Sequence, residues 1–222
     1  MENDVKVQDV AIYLGPSLPI NLAEEILPAQ YLPPIRREDL IEIIRIKPKI
    51  IGIIDGVFFE KAAVGHREIL QVIKAGILVV GASSMGALRA AELEPFGMIG
   101  VGKVFRMYRD GVVESDDEVA LMCDPVTNVA YSEALVNVRV TLESASHKGI
   151  ITSDEADEIL NTGKKIWYPE RNWERLLRDG ISDESRRYKI FEWIENNKKD
   201  QKREDACEAL RYIQERMNND FI

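Results

Sequence analysis

Residues 77–89 read Ile-Leu-Val-Val-Gly-Ala-Ser-Ser-Met-Gly-Ala-Leu-Arg. The continuous apolar run at 77–80 is typical of a strand buried on both faces, and residues 85–92 have the spacing of a helix. Only small residues separate the two, so the segment predicts a tight turn from strand to helix. A strand that continues directly into a helix is the building block of a parallel sheet covered by helices.

The same alternation extends through the first half of the chain. Short apolar runs predict further strands at residues 10–14, 30–32 and 50–54. Helical spacings predict helices between them at residues 22–26, 38–46 and 63–74. We interpret residues 101–107 as an additional edge strand. The expected fold is therefore α/β, with a mainly parallel sheet core and flanking helices.

The second half of the chain has a helical pattern. Apolar residues recur at spacings of three and four, at Leu135, Val138, Leu142 and Ala145. Further amphipathic helices are predicted at 188–196 and 205–217, capping-box patterns begin at Ser115 and Thr152, and the charged run 196–205 is expected in solvent. We predict an α/β core over residues 1–124 and a helical C-terminal region over residues 125–222 that packs on it.

Composition excludes several classes of protein. Of 222 residues, 45% are hydrophobic and 30% charged, which is typical of a folded soluble chain. The net charge of −9 disfavours nucleic-acid binding, and no apolar run approaches the roughly 20 residues of a membrane helix. The acidic N-terminus lacks the pattern of a secretory signal. With two histidines and two cysteines we expect no metal, no cofactor and a cytoplasmic location.

Ser84 is the leading candidate for a catalytic residue, because it precedes the helix predicted from Met85. Ligands of parallel α/β sheets bind at the carboxyl ends of strands, where helix N-termini offer free N–H groups. A hydroxyl there could attack a carbonyl while the amides of Met85 and Gly86 hold the oxyanion. Two alternatives stay open. Ser83 or Ser84 could simply cap the helix, or the turn could bind a phosphate.

A serine nucleophile needs a base, and the residues leave that choice open. His66, near the start of a predicted helix, could serve, as could a lysine that burial keeps uncharged. A lone histidine on a helix also has a structural interpretation. Asp55 and Gly56 follow the strand predicted at 50–54, where the carboxylate could bind a cation, orient the base or cap a helix.

Three longer motifs carry a family resemblance: Gly52-Ile-Ile-Asp-Gly56, Ala63-Val-Gly-His-Arg-Glu-Ile-Leu70 and Gly81-Ala-Ser-Ser-Met-Gly-Ala-Leu-Arg-Ala-Ala-Glu-Leu93. Together with residues 97–102, 116–120 and 132–139 they resemble the TfuA-like family. The resemblance extends from about Val10 to Trp173, and the motif around Ser84 is the most specific part of it.

The resemblance implies a partner of YcaO enzymes in peptide backbone thioamidation. Such a protein would act as an accessory hydrolase that releases sulfide from the thiocarboxylated C-terminus of a ThiS-like ubiquitin-fold carrier. The YcaO enzyme would present the peptide substrate, which in methanogens is methyl-coenzyme M reductase. The alternative is a non-catalytic adaptor that raises the affinity of YcaO for its peptide, and a phosphate- or nucleotide-binding module is a third possibility.

The resemblance also implies a Ser–Lys pair. Ser84 matches the family serine, whereas Arg67 stands where many relatives have lysine. We predict Lys164 as the base. The alternatives are Lys165, Lys61 and Lys103. Asp55, Gly56, His66, Ser83 and Arg89 are predicted to bind substrate or support the site.

Overall fold

The computed structural model describes residues 9–58, 62–124 and 127–219. The chain divides into two compact units. One comprises Met1–Asp116 and Lys202–Ile222, and the other comprises Asp117–Gln201. This division differs from the boundary predicted after Asp124, because the last segment of the chain groups with the sheet rather than with the helical region.

Five parallel strands form the sheet of the first unit. They are β1 (Val10–Tyr13), β2 (Gln30–Leu32), β3 (Ile50–Ile53), β4 (Leu78–Ala82) and β5 (Ile99–Val101). Their order across the sheet is β2-β1-β3-β4-β5, and each neighbouring pair is parallel. The predicted α/β fold with a parallel sheet is therefore confirmed.

Helices cover both faces of this sheet. They are α1 (Ile20–Ile26), α2 (Asp39–Ile46), α3 (His66–Lys74), α4 (Met85–Leu93), α5 (Lys103–Arg109) and α10 (Gln201–Asn219). Side chains of α1 and α10, such as Ala23 and Ile213, share one core cluster with Ile12 and Val80. The adjacent Val79 points to the opposite face and is equally buried, so neither face is open to solvent.

Residues 101–107 do not form the predicted edge strand. The strand ends at Val101, and α5 begins at Lys103. Gly102 has a φ of +96°, which breaks the extended conformation. The carboxylate of Asp205 then accepts the amides of Lys103 at 2.9 Å and Val104 at 2.7 Å, which caps the new helix. The local sequence does not mark the start of this helix, because the capping carboxylate comes from a distant residue. The apolar run on its own therefore resembles a strand.

The charged run 196–205 was predicted to lie in solvent, but part of it is buried. Its last part begins α10, where Lys202 and Asp205 are 2% and 0% exposed. Charge density alone predicted exposure. The structure instead buries these two side chains, and Asp205 is buried where it serves as the cap of α5.

The second unit contains four helices among its described residues. They are α6 (Leu135–His147), α7 (Ser153–Lys165), α8 (Trp173–Gly180) and α9 (Glu184–Asn197). Leu135, Val138, Leu142 and Ala145 all lie in its core, which confirms the predicted face of α6. The capping box at Thr152 is also present, whereas Asp116–Glu118, which follows Ser115, forms only a single 3-10 turn.

Two arginines order the second unit. Arg171 is fully buried and donates to the carbonyls of Gly163 and Asp117 and to the Asp117 carboxylate. Arg186 binds both oxygens of Glu155 at 2.7 and 2.8 Å, and hydrogen bonds from this guanidinium lower the pKa of Glu155 to about 2.

Within the described residues, no helix has the length and apolar character needed to cross a bilayer.

Backbone contact between α4 and the sheet requires glycine at two positions. A Cβ built on Gly86 would lie 1.6 Å from the carbonyl oxygen of Ile53, and one on Gly81 would lie 2.2 Å from the Gly86 oxygen. The structure gives a packing reason for these glycines, because the helix rests directly on β3 and β4.

Gly86→Ala tests this contact. The added methyl group collides with fixed backbone, so we expect a loss of about 1–3 kcal/mol or more in the free energy of unfolding. Gly65→Ala is the control, since the nearest atom there is the Glu68 carboxylate at 3.2 Å, a side-chain atom rather than backbone. Urea denaturation measures both variants. An equal, small effect at the two positions would contradict the close packing of α4.

Candidate functional site

The carboxyl ends of β1 and β3 form the switch point of the sheet. From β1 the chain crosses to β2 on one side, and from β3 it crosses to β4 on the other. Ligands of open α/β sheets bind in the crevice that such a reversal leaves. The residues that follow these strands are Gly15 to Ser17 after β1 and Asp55 after β3.

Asp55 fills this crevice with its own carboxylate. One oxygen accepts the amides of Gly15 at 2.9 Å and Ser17 at 3.0 Å, and the other accepts the Ser17 hydroxyl at 2.6 Å. The Ser83 hydroxyl donates in turn to Ser17 Oγ at 2.8 Å. Asp55 therefore holds the loop after β1. The phosphate alternative concerns the turn before α4, whose amides this carboxylate does not occupy, and it stays a prediction.

Ser83 has a strained backbone conformation. Its φ is +68°, which is uncommon for a residue with a Cβ. The Ser84 amide donates to the Ala82 carbonyl at 2.7 Å, which closes a tight three-residue turn around Ser83. The turn lets the chain pass from β4 to α4 with two intervening residues. Strain of this kind is often found at functional sites.

Ser84 occupies the N-cap position of α4, but its side chain does not cap the helix. Its hydroxyl forms no hydrogen bond with the described residues, whereas the Ser83 hydroxyl is committed to Ser17. Neither serine therefore has the simple capping role that was the structural alternative. Ser84 is 1% exposed, so the free chain shields it from solvent.

The two predicted oxyanion amides differ. The Gly86 amide points to the Ile54 carbonyl at 3.4 Å and is directed into the fold. The Met85 amide has no partner among the described residues and lies at the N-terminus of α4, where the helix dipole favours negative charge. Of the two amides predicted to hold an oxyanion, only that of Met85 is available for it.

An open cleft of about 540 Å³ lies beside this turn, between the starts of α3 and α4. Phe58, Val64, Met85 and Leu88 supply apolar lining. The charged or titratable lining residues are Arg37, His66, Arg89, Glu92, Glu114 and Asp116. The cleft is therefore an accessible space that adjoins the buried serine turn through Met85.

Three side chains of the cleft form a connected cluster. His66 Nε2 lies 2.7 Å from Glu92 Oε2, and Arg89 NH1 donates to the same oxygen at 2.6 Å. The Nε of Arg89 also donates to the Val64 carbonyl at 3.2 Å. The cluster links the start of α3 to α4. The predicted supporting residues His66 and Arg89 thus lie together, and Glu92 joins them.

The candidate lysines lie in different parts of the chain. Lys164 and Lys165 are exposed in the last turn of α7, in the second unit, whereas Ser84 belongs to the first. Lys103 is the first residue of α5, and Lys61 lies outside the described residues. Lys202 was not predicted. Among the described residues it is the one lysine that is buried.

The buried polar side chains of the first unit share one location. Among its described residues they are Ser17, Asp55, Ser83, Ser84, Lys202 and Asp205. The first four follow the carboxyl ends of β1, β3 and β4, and Asp205 contacts the residues that follow β5. Lys202 precedes Asp205 by one helical turn. Buried ionisable groups gathered at one edge of a sheet mark a candidate functional site.

Sequence reasoning missed Ser17 and Lys202. Ser17 had a usable signal, since Gly15-Pro16-Ser17 is a turn directly after a buried strand. Lys202 had none, because it lies in a run of charged residues.

No group of three or more potential metal ligands occurs in the part of the chain that the structure describes.

Comparison with known proteins identifies the family of this chain. A sequence model of the TfuA-like protein family matches residues 55–172, just over half of the chain. The chain belongs to the TfuA-like family. The matched range includes Asp55, His66, Ser84 and Lys164, and it leaves Ser17 and Lys202 outside. A search of curated proteins found no match.

Asp55→Ala tests the network at the switch point of this TfuA-like protein. The variant leaves two buried amides and one hydroxyl without an acceptor, so we expect a loss of about 3 kcal/mol in unfolding free energy. Ser17→Ala is the control and should cost about 1–2 kcal/mol, because it removes the hydroxyl bonded to Asp55 and Ser83 but keeps both amide bonds to the carboxylate. Denaturant unfolding compares them. A neutral Asp55→Ala variant would show that the carboxylate does not hold this loop.

Proposed function

We propose that the protein is an accessory hydrolase of peptide backbone thioamidation. It would release sulfide from the thiocarboxylated C-terminus of a ThiS-like carrier and supply it to a YcaO enzyme. Membership of the TfuA-like family supports a role in peptide thioamidation. The observation that carries the chemistry is the Ser84 hydroxyl next to the Met85 amide at the edge of an open cleft, both without a hydrogen-bond partner in the described part of the chain.

The cleft suits the end of an extended peptide tail. Its volume of about 540 Å³ accommodates a few residues, and its apolar lining can pack against the tail. The guanidinium groups of Arg37 and Arg89 lie in the lining and would bind the thiocarboxylate by charge-assisted hydrogen bonds, against the carboxylates of Glu92, Glu114 and Asp116 in the same lining. A tail bound there would bring its terminal acyl carbon toward the turn that holds Ser84.

The reaction divides into two steps. The Ser84 oxygen bonds to the acyl carbon and the carbon–sulfur bond breaks, and the sulfur leaves with the electron pair and takes up the proton that Ser84 gives up, as hydrosulfide. The Met85 amide stabilises the oxyanion that forms between these events. Water then cleaves the ester, which restores the hydroxyl and frees the carrier carboxylate. A base must accept the Ser84 proton in the first step.

Burial of Ser84 favours a second candidate function. Because the side chain is 1% exposed, hydrolysis requires the turn to open when the tail or a partner binds. An adaptor that raises the affinity of YcaO for its peptide needs no such opening. The two functions give different results with free sulfide, since only the hydrolase becomes dispensable when sulfide is supplied.

Ser84→Ala tests the hydrolase. We expect sulfide release from thiocarboxylated carrier to fall by at least about 10³-fold, because the nucleophile is removed. Ser83→Ala removes the neighbouring hydroxyl and should retain activity within about tenfold. A sulfide electrode follows release, and circular dichroism confirms folding.

Two results would reject the hydrolase proposal. One is a wild-type protein that releases no sulfide from the carrier in the presence of YcaO. The other is a Ser84→Ala variant with the wild-type rate. If YcaO given free sulfide still requires the protein, and Ser84→Ala meets that requirement, the adaptor is the correct function.

Two lysines compete for the role of base. Lys164 was predicted from the sequence, and the buried Lys202 shares a unit with Ser84. We expect Lys202→Met and Lys202→Arg each to lower sulfide release by about 10²–10⁴-fold, since neither replacement can accept a proton in place of the lysine amine. Lys164→Met is the matched control and should stay near the wild-type rate. The opposite pattern would restore Lys164 as the base.

A further inference from the structure

His66 is one of two histidines in the chain and lines the cleft beside Ser84. It is the first residue of α3, and about half of its side chain, 49%, remains exposed. It is thus accessible from solvent, unlike the buried serines. Imidazole is the side chain whose proton exchange is centred nearest neutral pH, so an accessible histidine in a reaction cleft can move protons.

The contact with Glu92 determines which ring nitrogen carries the proton. A carboxylate only accepts hydrogen bonds, so the 2.7 Å contact with Glu92 Oε2 assigns the proton to Nε2; Arg89 Nη1, at 3.4 Å from the same nitrogen, makes the longer and weaker contact. In the neutral ring the other nitrogen, Nδ1, is then the acceptor. It has no hydrogen-bond partner among the described residues.

Glu92 is itself fixed in place. Arg89 NH1 donates to the same oxygen at 2.6 Å, and the Arg89 side chain, 14% exposed, is anchored through Nε to the Val64 carbonyl. A base that is oriented by a carboxylate, which in turn is held by a third group, is the usual arrangement of a general base in hydrolysis. The arrangement extends from the Val64 carbonyl, two residues before α3, to the second turn of α4.

We infer that His66 is the general base that activates water for cleavage of the Ser84 ester, with Glu92 and Arg89 as positioning residues. This inference rests on the proposed function and assigns the second of its two steps. His66 Nδ1 accepts a proton from water as the water oxygen bonds to the acyl carbon. The ester carbon–oxygen bond then breaks, and the imidazolium returns the proton to Ser84 Oγ.

The two steps of the reaction need different things from a base. Once protonated, the sulfur departs as hydrosulfide, so ester formation needs a base only to carry the serine proton to it, whereas ester hydrolysis needs an activated water. Water must reach the ester from the open side. The cleft, which His66 and Met85 both line, is the open space next to the turn.

Variants of His66 should therefore accumulate the ester. In rapid mixing with thiocarboxylated carrier, His66→Gln should release about one equivalent of sulfide per protein and then slow by about 10²–10⁴-fold. Intact-mass spectrometry should detect the carrier joined to the protein. Glu92→Gln should show the same burst with a smaller slowing, because the ring remains but loses its orientation. His147→Gln, on α6, is the matched control and should turn over normally.

The outcomes separate this inference from the proposal on which it rests. If the wild type forms sulfide but His66→Gln turns over at the wild-type rate without a burst, His66 is not the base and the hydrolase stands. If His66→Gln loses the burst and the slow phase together while remaining folded, the residue acts before the ester and the inference is wrong. If the wild type releases no sulfide, both the function and the inference fail.

Discussion

Direct contact between the backbone of α4 and the backbones of β3 and β4 determines the geometry of the site. Gly86 leaves no space for a Cβ against Ile53, and Gly81 leaves none against Gly86. With the helix so close to the sheet, the connection from β4 has to be short. The positive φ of Ser83 makes that short connection, and Ser84 and Met85 are placed by it at the helix N-terminus.

The polar side chains on the two sides of this turn differ: those on one side are buried, and those on the other line the open cleft. Asp55, Ser17 and Ser83 satisfy one another in the interior, and their hydrogen bonds offset the cost of burying a carboxylate. On the other side of the turn, His66, Glu92 and further titratable groups line the open cleft, where His66 contacts Glu92. Ser84 lies between the two sets and belongs to neither network. A reacting group benefits from such a position, because its hydroxyl is not already committed.

The sequence was sufficient for the elements that depend on local pattern. The strand at 50–54, the tight turn at 81–84 and the apolar face of α6 all follow from spacing and small residues, and all are present. Features that depend on distant partners were not accessible in this way. Residues 101–107 were assigned to a strand because the carboxylate that caps α5 comes from Asp205. Lys202 was assigned to solvent because its burial depends on where α10 lies.

The chain order of the first unit has a consequence for biosynthesis. Its sheet is complete by Val101, yet the apolar face that includes Ile12 and Val80 is covered by α10, which follows the whole of the second unit. A ribosome therefore exposes this sheet for the time it takes to translate about one hundred further codons. Until the last helix emerges, the nascent chain depends on other means to shield that surface from aggregation.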